Sequence, residues 1–459
     1  MRRSYDKPMT KQKIGITERL QTEMSKRAWL LNSWAVAAAF GTYFCMYMFR
    51  KPFTAATYNE AVFSDWDQKT LLVSSQVMGY MISKLIGVRV VSEISRAKRA
   101  ALLVGLIFSS HLALFLFAIV PQPYHILAIF LNGLPLGMVF GLVLGFLEGR
   151  RMTEALTAGL CASFILAAGF SKTVGQWMLM YLIDSLGLSI IAAERWMPFG
   201  AGLLFVIPLL VSVWMLAQVP LPSPRDVSER SERIPMSSED RKKLLATHWI
   251  GIASVAVMYL LISIVRSIRD DFAPEILIGM GASLKPSAYI AIDTGVAAIV
   301  LVVNGLSVLV RDNRYALMLS FGVSFVGFLL TACSMFLLDS LYISPMGFMV
   351  MVGAGLYLPY VAIHTTVFER MIALTRDRGN IGFLMYLVDS LGYFGYIVIM
   401  ILRNFLPKSD ASSATQILVG FRWACWISIA ISAVFTIVAA IYFSRVKIVH
   451  SNALSTRSG

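Results

Sequence analysis

Residues 43–58 read YFCMYMFRKPFTAATY, and this stretch contains the feature from which the architecture of the chain is inferred. An apolar run that begins near Trp29 reaches two adjacent cations, Arg50 and Lys51, after about twenty residues, the length of a membrane span. A charge at the centre of a bilayer costs at least ~2.5 kcal/mol on insertion scales, so it usually faces a cavity or a partner. Because apolar and small residues resume after Pro52, we expect Arg50 and Lys51 to lie in mid-helix and to face an aqueous pocket that binds an anion.

The alternative is that the helix ends at Phe49 and that the two cations mark its water-facing edge. The tail before Trp29 is basic, which places the N-terminus in the cytoplasm by the positive-inside rule. The helix would then end on the outer side, where Lys and Arg are scarce. We therefore favour a buried position for both cations.

The composition is that of a membrane protein. Of the 459 residues, 57% are hydrophobic and 14% are charged, and the mean hydropathy is +0.71. The net charge of +14 comes mostly from Lys and Arg in the loops, which orient helices and contact anionic headgroups. We therefore expect the lipid bilayer, and not nucleic acid, as a partner.

The four cysteines lie in apolar segments without a Cys or His at metal-ligand spacing, so neither disulfides nor a metal site is predicted. The N-terminal segment lacks a cleavage site, so a removable signal peptide is not predicted.

The apolar runs predict an all-α integral membrane protein with about twelve transmembrane helices, six on each side of a polar segment. The runs begin near Trp29, Thr70, Ala100, His125, Ala155, Met197, His248, Ser287, Tyr315, Ile343, Gly379 and Val419. The predicted organisation is a basic tail (1–28), an N-terminal bundle (29–219), a linker (220–246), a C-terminal bundle (247–445) and a second tail (446–459).

The charges of the loops alternate between the two sides of the membrane. One side carries most of the basic residues, in the N-terminal tail and at 96–99, 150–151, 241–243, 311–314, 370–378 and 445–447. The other side carries mainly the acidic residues Glu60, Asp65, Asp67, Asp184, Glu194, Asp339 and Asp410. Both termini and the linker are therefore predicted to be cytoplasmic, in a multi-pass protein of the bacterial inner membrane.

The two halves of the chain look like copies of each other. Arg50 in the first helix and Arg266 in the seventh lie at comparable depths. Residues 146–150 (FLEGR), at the end of helix four, match 367–370 (VFER), at the end of helix ten. Two six-helix halves with a binding site between them form the architecture of the major facilitator superfamily. Glycine at every fourth position of helix four, from Gly133 to Gly149, indicates close packing against another helix.

Eight ionisable residues lie inside otherwise apolar segments, where such a residue is a functional hypothesis by default. They are Arg50, Lys51, Lys84, Lys172, Arg266, Asp271, Asp293 and Asp389. Cations outnumber carboxylates, so pairing among them leaves positive charge. Because a guanidinium donates two parallel hydrogen bonds, Arg50 and Arg266 are suited to bind one anion between the halves, although structural ion pairing is the alternative. Lys84 and Lys172 fit substrate binding and a gating role about equally.

Three motifs resemble those of the organophosphate:inorganic phosphate antiporters, which include the glycerol-3-phosphate and hexose-6-phosphate transporters. Residues 50–53 (RKPF) resemble their Arg-Lys-Asn-Phe, and residues 80–84 (YMISK) are similar to their Tyr-Gly-Phe-Ser-Lys in helix two. Arg266, followed by Asp271, Phe272 and Pro274, matches their helix-seven pattern with the same spacing. The motifs occur in the family's order across both halves.

The resemblance implies roles for these residues. Arg50 and Arg266 would bind the phosphoryl group, Lys51 and Lys84 would support the site, and Asp271 would pair with a lysine as the carrier changes state. The family's helix-five histidine corresponds to Lys172 here. Helix two faces helix eleven in the superfamily, and helix five faces helix eight, which suggests the cross-half pairs Lys84–Asp389 and Lys172–Asp293. The alternatives for these charges are pairing within one half or individual snorkelling.

The leading interpretation is a secondary transporter, without a cofactor and as a monomer, for a small organic anion such as a phosphate ester exchanged for phosphate. A sensor that binds the anion without net transport is the alternative. The sequence contains no Walker A motif, so direct ATP drive is not expected. We do not expect an enzyme, because there is neither an HExxH motif, a glycine-flanked serine with a suitable histidine nor a carboxylate pair at catalytic spacing within one helix. None of the five histidines has metal-ligand spacing, and His364 is interpreted as a packed histidine and not as a proton relay.

Overall fold

The computed structural model of the protein describes residues 21–446 except 22, 25, 59–65, 148–152, 222–237, 309, 311, 376–380, 404 and 406–412. Both predicted tails lie almost entirely outside these residues, as does most of the predicted linker, of which the helix Ser238–Thr247 is described. Individual residues of the loop-charge and repeat predictions that also lie outside are Glu60, Asp65, Glu148, Gly149, Arg150, Arg151, Arg311, Arg376, Arg378, Asp410 and Lys447.

Long helices dominate the described chain. Those before the linker are α1 (Ala28–Met48), α2 (Gln68–Glu93), α3 (Arg96–Ile119), α4 (His125–Leu147, interrupted at Gly137), α5 (Thr153–Asp184) and α6 (Ile190–Ala217, interrupted before Val206). Those after it are α7 (Trp249–Asp271), α8 (Ser287–Val308), α9 (Asn313–Asp339), α10 (Pro345–Ala362), α11 (Ile381–Arg403) and α12 (Ser413–Arg445). Within the described residues, nine helices are long and apolar enough to cross a membrane by length and composition. The predicted all-α membrane fold is confirmed.

The end of α1 differs from the prediction. The helix stops at Met48, so Arg50 and Lys51 lie in a turn and not in mid-helix, and a 3₁₀ helix, Pro52–Ala55, follows. Pro52 explains the break, because it has no N–H to donate to the Met48 carbonyl and its ring would collide with that carbonyl if the α-helix continued. The turn is nevertheless buried, with Arg50 3% exposed, so the alternative of a water-facing edge is also wrong.

The last helix of interest for the site is α10, which changes its winding partway. Residues Ile363–Val367 form one turn of π-helix, after which Phe368–Thr375 resumes the α-helix. Such turns contain one extra residue and occur frequently at functional sites. In α10 the turn carries His364 toward the contact with α7 and α11.

Two contacts between the halves, which the resemblance implied, are formed by the helices. Helix α2 contacts α11, and α5 contacts α8, so both predicted contacts between the halves are present. On α4, a Cβ at Gly133 or Gly137 would collide with the backbone carbonyls of Gln76 or Tyr80 on α2. These two glycines therefore allow α2 to approach α4 closely, as the glycine repeat predicted.

Candidate functional site

The Arg50 guanidinium is a buried cation of the central site. Among the described residues no carboxylate lies within ion-pair distance of it, and its Nε has no hydrogen-bond partner. Its Cζ lies 3.8 Å from the centre of the Tyr80 ring and 5.9 Å from that of Tyr47. The turn is fixed by polar contacts below it, since Gln76 Nε2 donates to the Arg50 carbonyl at 2.8 Å and Asn132 Nδ2 to that of Phe49 at 2.9 Å.

Arg266 lies inside α7 and, unlike Arg50, shares its charge with an acid. Its Nη1 donates to Asp270 Oδ2 at 3.1 Å, one helical turn further on. Its Cζ lies 4.4 Å from the centre of the Tyr360 ring, and Nη1 lies 3.4 Å from the Tyr357 hydroxyl. The Nε of Arg266 is buried and, within the described part of the chain, has no hydrogen-bond partner. Donor capacity therefore remains on both arginines.

Lys51 and Asp271 form an ion pair that joins the turn after α1 to the end of α7. The Asp271 carboxylate also accepts a hydrogen bond from the Tyr396 hydroxyl of α11 at 3.0 Å. The contact agrees with the expectation that the helix-seven aspartate pairs with a lysine. It connects the two halves directly beside Arg50.

Lys84 and Asp389 form the second ion pair between the halves, from α2 to α11. The predicted pair is therefore present. The Tyr259 hydroxyl of α7 donates to the other oxygen of the same carboxylate. His364 Nε2 lies 3.8 Å from that oxygen.

The predicted pair of Lys172 with Asp293 is not formed in this structure. Asp293 accepts a hydrogen bond from Arg269 Nη2 at 2.9 Å, whereas Lys172 Nζ donates to the Ala168 carbonyl of its own helix at 3.2 Å. Helices α5 and α8 do meet here, since a Cβ at Gly169 would lie 2.9 Å from an Asp293 carboxylate oxygen. Arg269 has the advantage because the Met349 carbonyl, at 3.2 Å from its Nε, fixes its guanidinium next to Asp293.

Sequence reasoning missed further buried charges, four of which form ion pairs near the site in the described chain. Arg269 and Asp270, although they lie near a helix end, are 2% and 5% exposed and belong to the same network as Arg266. The signal was present in residues 266–271 (RSIRDD), because charges three and four positions apart share one helix face. Lys69 and Glu275, which pair at 2.5 Å across the halves, were likewise missed.

The residues brought together line one small polar cavity. Its charged members are Arg50, Lys51, Lys172, Arg266, Asp270 and Asp271, and Tyr47 and Tyr393 add two aromatic rings. The cavity has a volume of about 20 Å³, enough for a water molecule and far below the size of an organic ligand. Two further ion pairs join the halves at the start of α2, Lys69–Glu275 and Asp67–Arg403, the latter at 3.3 Å.

Comparisons with known proteins agree with this architecture. The model of DUF5690, a family of unknown function, matches residues 52–446. The structure is similar to a D-xylose-proton symporter (TM-score 0.60, 14% identity, 90% of this chain and 96% of that one). It is also similar to the nucleoside transporter NupG (0.55, 14%, 91% and 100%) and to the POT family transporter PepTSo (0.54, 12%, 90% and 97%). No curated protein has a matching sequence.

These structural likenesses confirm the predicted major facilitator fold. At 12–14% identity they carry information on the fold alone. The resemblance to the organophosphate:inorganic phosphate antiporters therefore stays a prediction that depends on the three motifs.

Proposed function

The chain belongs to DUF5690, a family of unknown function, and from its central site we propose that it carries a small organic anion across the membrane by alternating access. The observation that carries the proposal is the Arg50 guanidinium, buried between the halves and without a carboxylate partner in the described chain. A buried charge without a counter-ion is penalised by several kcal/mol. A substrate anion that binds beside Arg50 removes this penalty.

The charge around the cavity supports a doubly charged anion as substrate. Four basic and two acidic side chains line it, so two positive charges remain without compensation. A phosphate ester carries about −1.5 to −2 charges near neutral pH and offers three oxygen acceptors. The free Nε donors of Arg50 and Arg266 are of the kind that binds such oxygens.

The same excess charge supports exchange over one-way transport. An empty site must reorient with two uncompensated cations in the middle of the membrane, which is costly. Inorganic phosphate bound on the return step removes this cost. We therefore propose exchange of a phosphate ester for phosphate, as the resemblance implies.

Binding requires the halves to separate, because the cavity holds no more than about a water molecule. The ion pairs Lys51–Asp271 and Lys69–Glu275 connect the halves on one side of Arg50, and Lys84–Asp389 connects them on the other. In alternating access, the ion pairs on one side of Arg50 break while those on the other side stay formed. Arg50 and Arg266, with support from Lys51, Lys84 and Lys172, are the proposed substrate contacts, and Asp271, Asp293 and Asp389 the proposed gating residues.

The proposed orientation keeps both termini in the cytoplasm of a bacterial inner membrane, with a monomer as the working unit. It is supported by contacts that gather basic residues at one end of the bundle. Arg96 donates to the Pro220 carbonyl at 3.1 Å, and Arg370 to Asn313 at 2.9 Å. An excess of basic residues at one end indicates the cytoplasmic side.

The test is counterflow in sealed liposomes that contain the purified full chain. Vesicles loaded with phosphate should take up labelled phosphate and selected phosphate esters faster than simple carboxylates. Arg50→Lys in the same vesicles should lose most of this flux, whereas Arg422→Lys, at an exposed ion pair with Asp339, should retain it. Saturable binding of the panel without any flux would instead favour the sensor.

A further inference from the structure

His364 lies in the π-helical turn of α10, in direct contact with the Lys84–Asp389 ion pair. Its imidazole is buried, and its Nδ1 lies 3.0 Å from the Tyr360 carbonyl oxygen. Its Nε2 lies 3.4 Å from the Tyr259 hydroxyl and 3.8 Å from Asp389 Oδ1. Both nitrogens therefore face oxygen atoms.

These contacts decide which nitrogen holds the proton of the neutral ring. A carbonyl oxygen only accepts hydrogen bonds, so Nδ1 carries the hydrogen and Nε2 presents a lone pair. The one hydroxyl hydrogen of Tyr259 is donated to Asp389, so Nε2 receives none from it. The lone pair faces two oxygens, one of them on a carboxylate. A proton at Nε2 converts this unfavourable arrangement into a donor beside a carboxylate.

From this geometry we infer that His364 Nε2 is a proton-binding site and that its proton competes with Lys84 for Asp389. With the proton in place, one carboxylate serves two cations. Its attraction for Lys84 is then shared, and the contact between α2 and α11 is weakened. The proton therefore favours the conformation in which these two helices separate.

Charged and titratable groups on four helices lie close to His364, and one on a fifth helix lies close to its neighbour Asp389. These groups are Tyr259 and Arg266 on α7, Tyr360 on α10, Lys84 on α2, Asp389 on α11 and Cys161 on α5, close enough to interact electrostatically with Asp389. Asp389 is the only carboxylate among them in the described chain, and it favours the proton. Lys84 and Arg266 oppose it.

A second step connects the proton to the anion, and this step depends on the proposed function. The Tyr360 ring lies between the two sites, with the Arg266 Cζ 4.4 Å from its centre and the His364 ring centre 4.5 Å away. An anion that neutralises Arg266 removes part of the repulsion against a proton on His364. By linkage, the proton then increases the affinity for the anion by the same factor. The proton and the anion therefore bind together.

The proton site is tested without any ligand. The carbon–proton NMR signals of labelled histidines are followed in the purified full chain from about pH 5 to about pH 8, the range in which histidines titrate. The His364 signal is the one absent from His364→Gln. Lys84→Met removes the competing cation and should raise the proton affinity of His364 about tenfold or more, whereas Asp389→Asn should lower it by a similar factor. Tyr259→Phe, which retains the ring, should produce a smaller rise.

His111 is the matched control. It is buried and stacks on Phe199 with ring centres 4.6 Å apart. Its signal should not respond to Lys84→Met or Asp389→Asn. A His364 signal that titrates in neither the parent nor Lys84→Met overturns the proton site, and so does an equal response of His111.

The connection to the anion is tested separately. Calorimetric titration with inorganic phosphate is compared at about pH 6 and about pH 8, on either side of the ordinary histidine range. Affinity should increase more at the lower pH in the parent than in His364→Gln, and the titration of phosphate itself affects both proteins equally. If the phosphate affinity of the parent and of His364→Gln has the same pH dependence, the coupling between proton and anion is overturned, whereas the proton site itself is not affected. A protein that binds no phosphate contradicts the proposed substrate, while the NMR experiment still decides the proton site.

Discussion

The Arg50 guanidinium lies 3.8 Å above the ring of Tyr80 and has no carboxylate partner within the described chain. Tyr80 belongs to α2, which also carries Lys84, and the Lys84 Nζ lies 5.3 Å from the same ring centre. One aromatic ring thus contacts two buried cations. Cation–π attraction holds Arg50 in place without neutralising it, so its charge stays available for a ligand.

The first prediction concerns this ring. Tyr80→Leu should lower the free energy of unfolding by about 2 kcal/mol, because a desolvated cation–π contact is worth about that much. Tyr80→Phe keeps the ring and should cost much less, since the hydroxyl only has a contact of 3.5 Å with Tyr43. Denaturant titration of the purified protein measures both. Equal losses in the two variants would show that the hydroxyl, and not the ring, stabilises this part of the site.

The second prediction separates charge from geometry at the two arginines. Arg50→Lys and Arg266→Lys keep the charge but lose the fork that donates two parallel hydrogen bonds. A hydrogen bond to a charged group contributes about 1.5–3 kcal/mol, so the Kd for phosphate should increase roughly tenfold to a hundredfold. Isothermal titration calorimetry is the measurement, with Arg422→Lys as the surface control. Parent-like affinity in either lysine variant rules out the arginine clamp.

The third prediction concerns the bridge between α2 and α11. Lys84→Ala or Asp389→Ala alone should destabilise the protein by about 3–5 kcal/mol, because each leaves a buried charge unpaired. The double variant should cost less than the sum of the two. The exchanged pair, Lys84→Asp with Asp389→Lys, should recover part of the stability and of the transport. A double-mutant cycle with additive effects and no recovery would show that the two residues act independently.

The fourth prediction uses Asp293 to discriminate between two candidate partners. In the parent, Arg269 Nη2 lies 2.9 Å from the Asp293 carboxylate. In a double-mutant cycle, the effects of Asp293→Asn and Arg269→Met should therefore be coupled. Asp293→Asn should combine additively with Lys172→Met, because Lys172 Nζ donates to a backbone carbonyl instead. Thermal unfolding of each variant gives the coupling energies. Strong coupling to Lys172 would indicate that the pair first suggested by the sequence forms in another conformation.

The sequence by itself determined the membrane fold and the presence of a charged site. The free energy of inserting a segment depends on its own residues, so twenty apolar positions predict a span wherever they occur. The cost of a charge in such a span is equally local, so the sequence alone was sufficient to identify Arg50, Lys84, Arg266 and Asp389 as functional candidates. The contact between helices two and eleven in the superfamily that the sequence resembles was sufficient to predict the Lys84–Asp389 pair.

Only the tertiary structure decided which charge meets which partner. Asp293 pairs with Arg269 and not with Lys172, because distances between helices depend on the packing of residues far apart in sequence. The same holds for Arg50, which lies beyond the end of α1 yet is buried against Tyr80 of α2. It also holds for His364, which lies in a π-helical turn 3.8 Å from Asp389. The local sequence determines where the helices form, but the packing of the helices determines the net charge of the site.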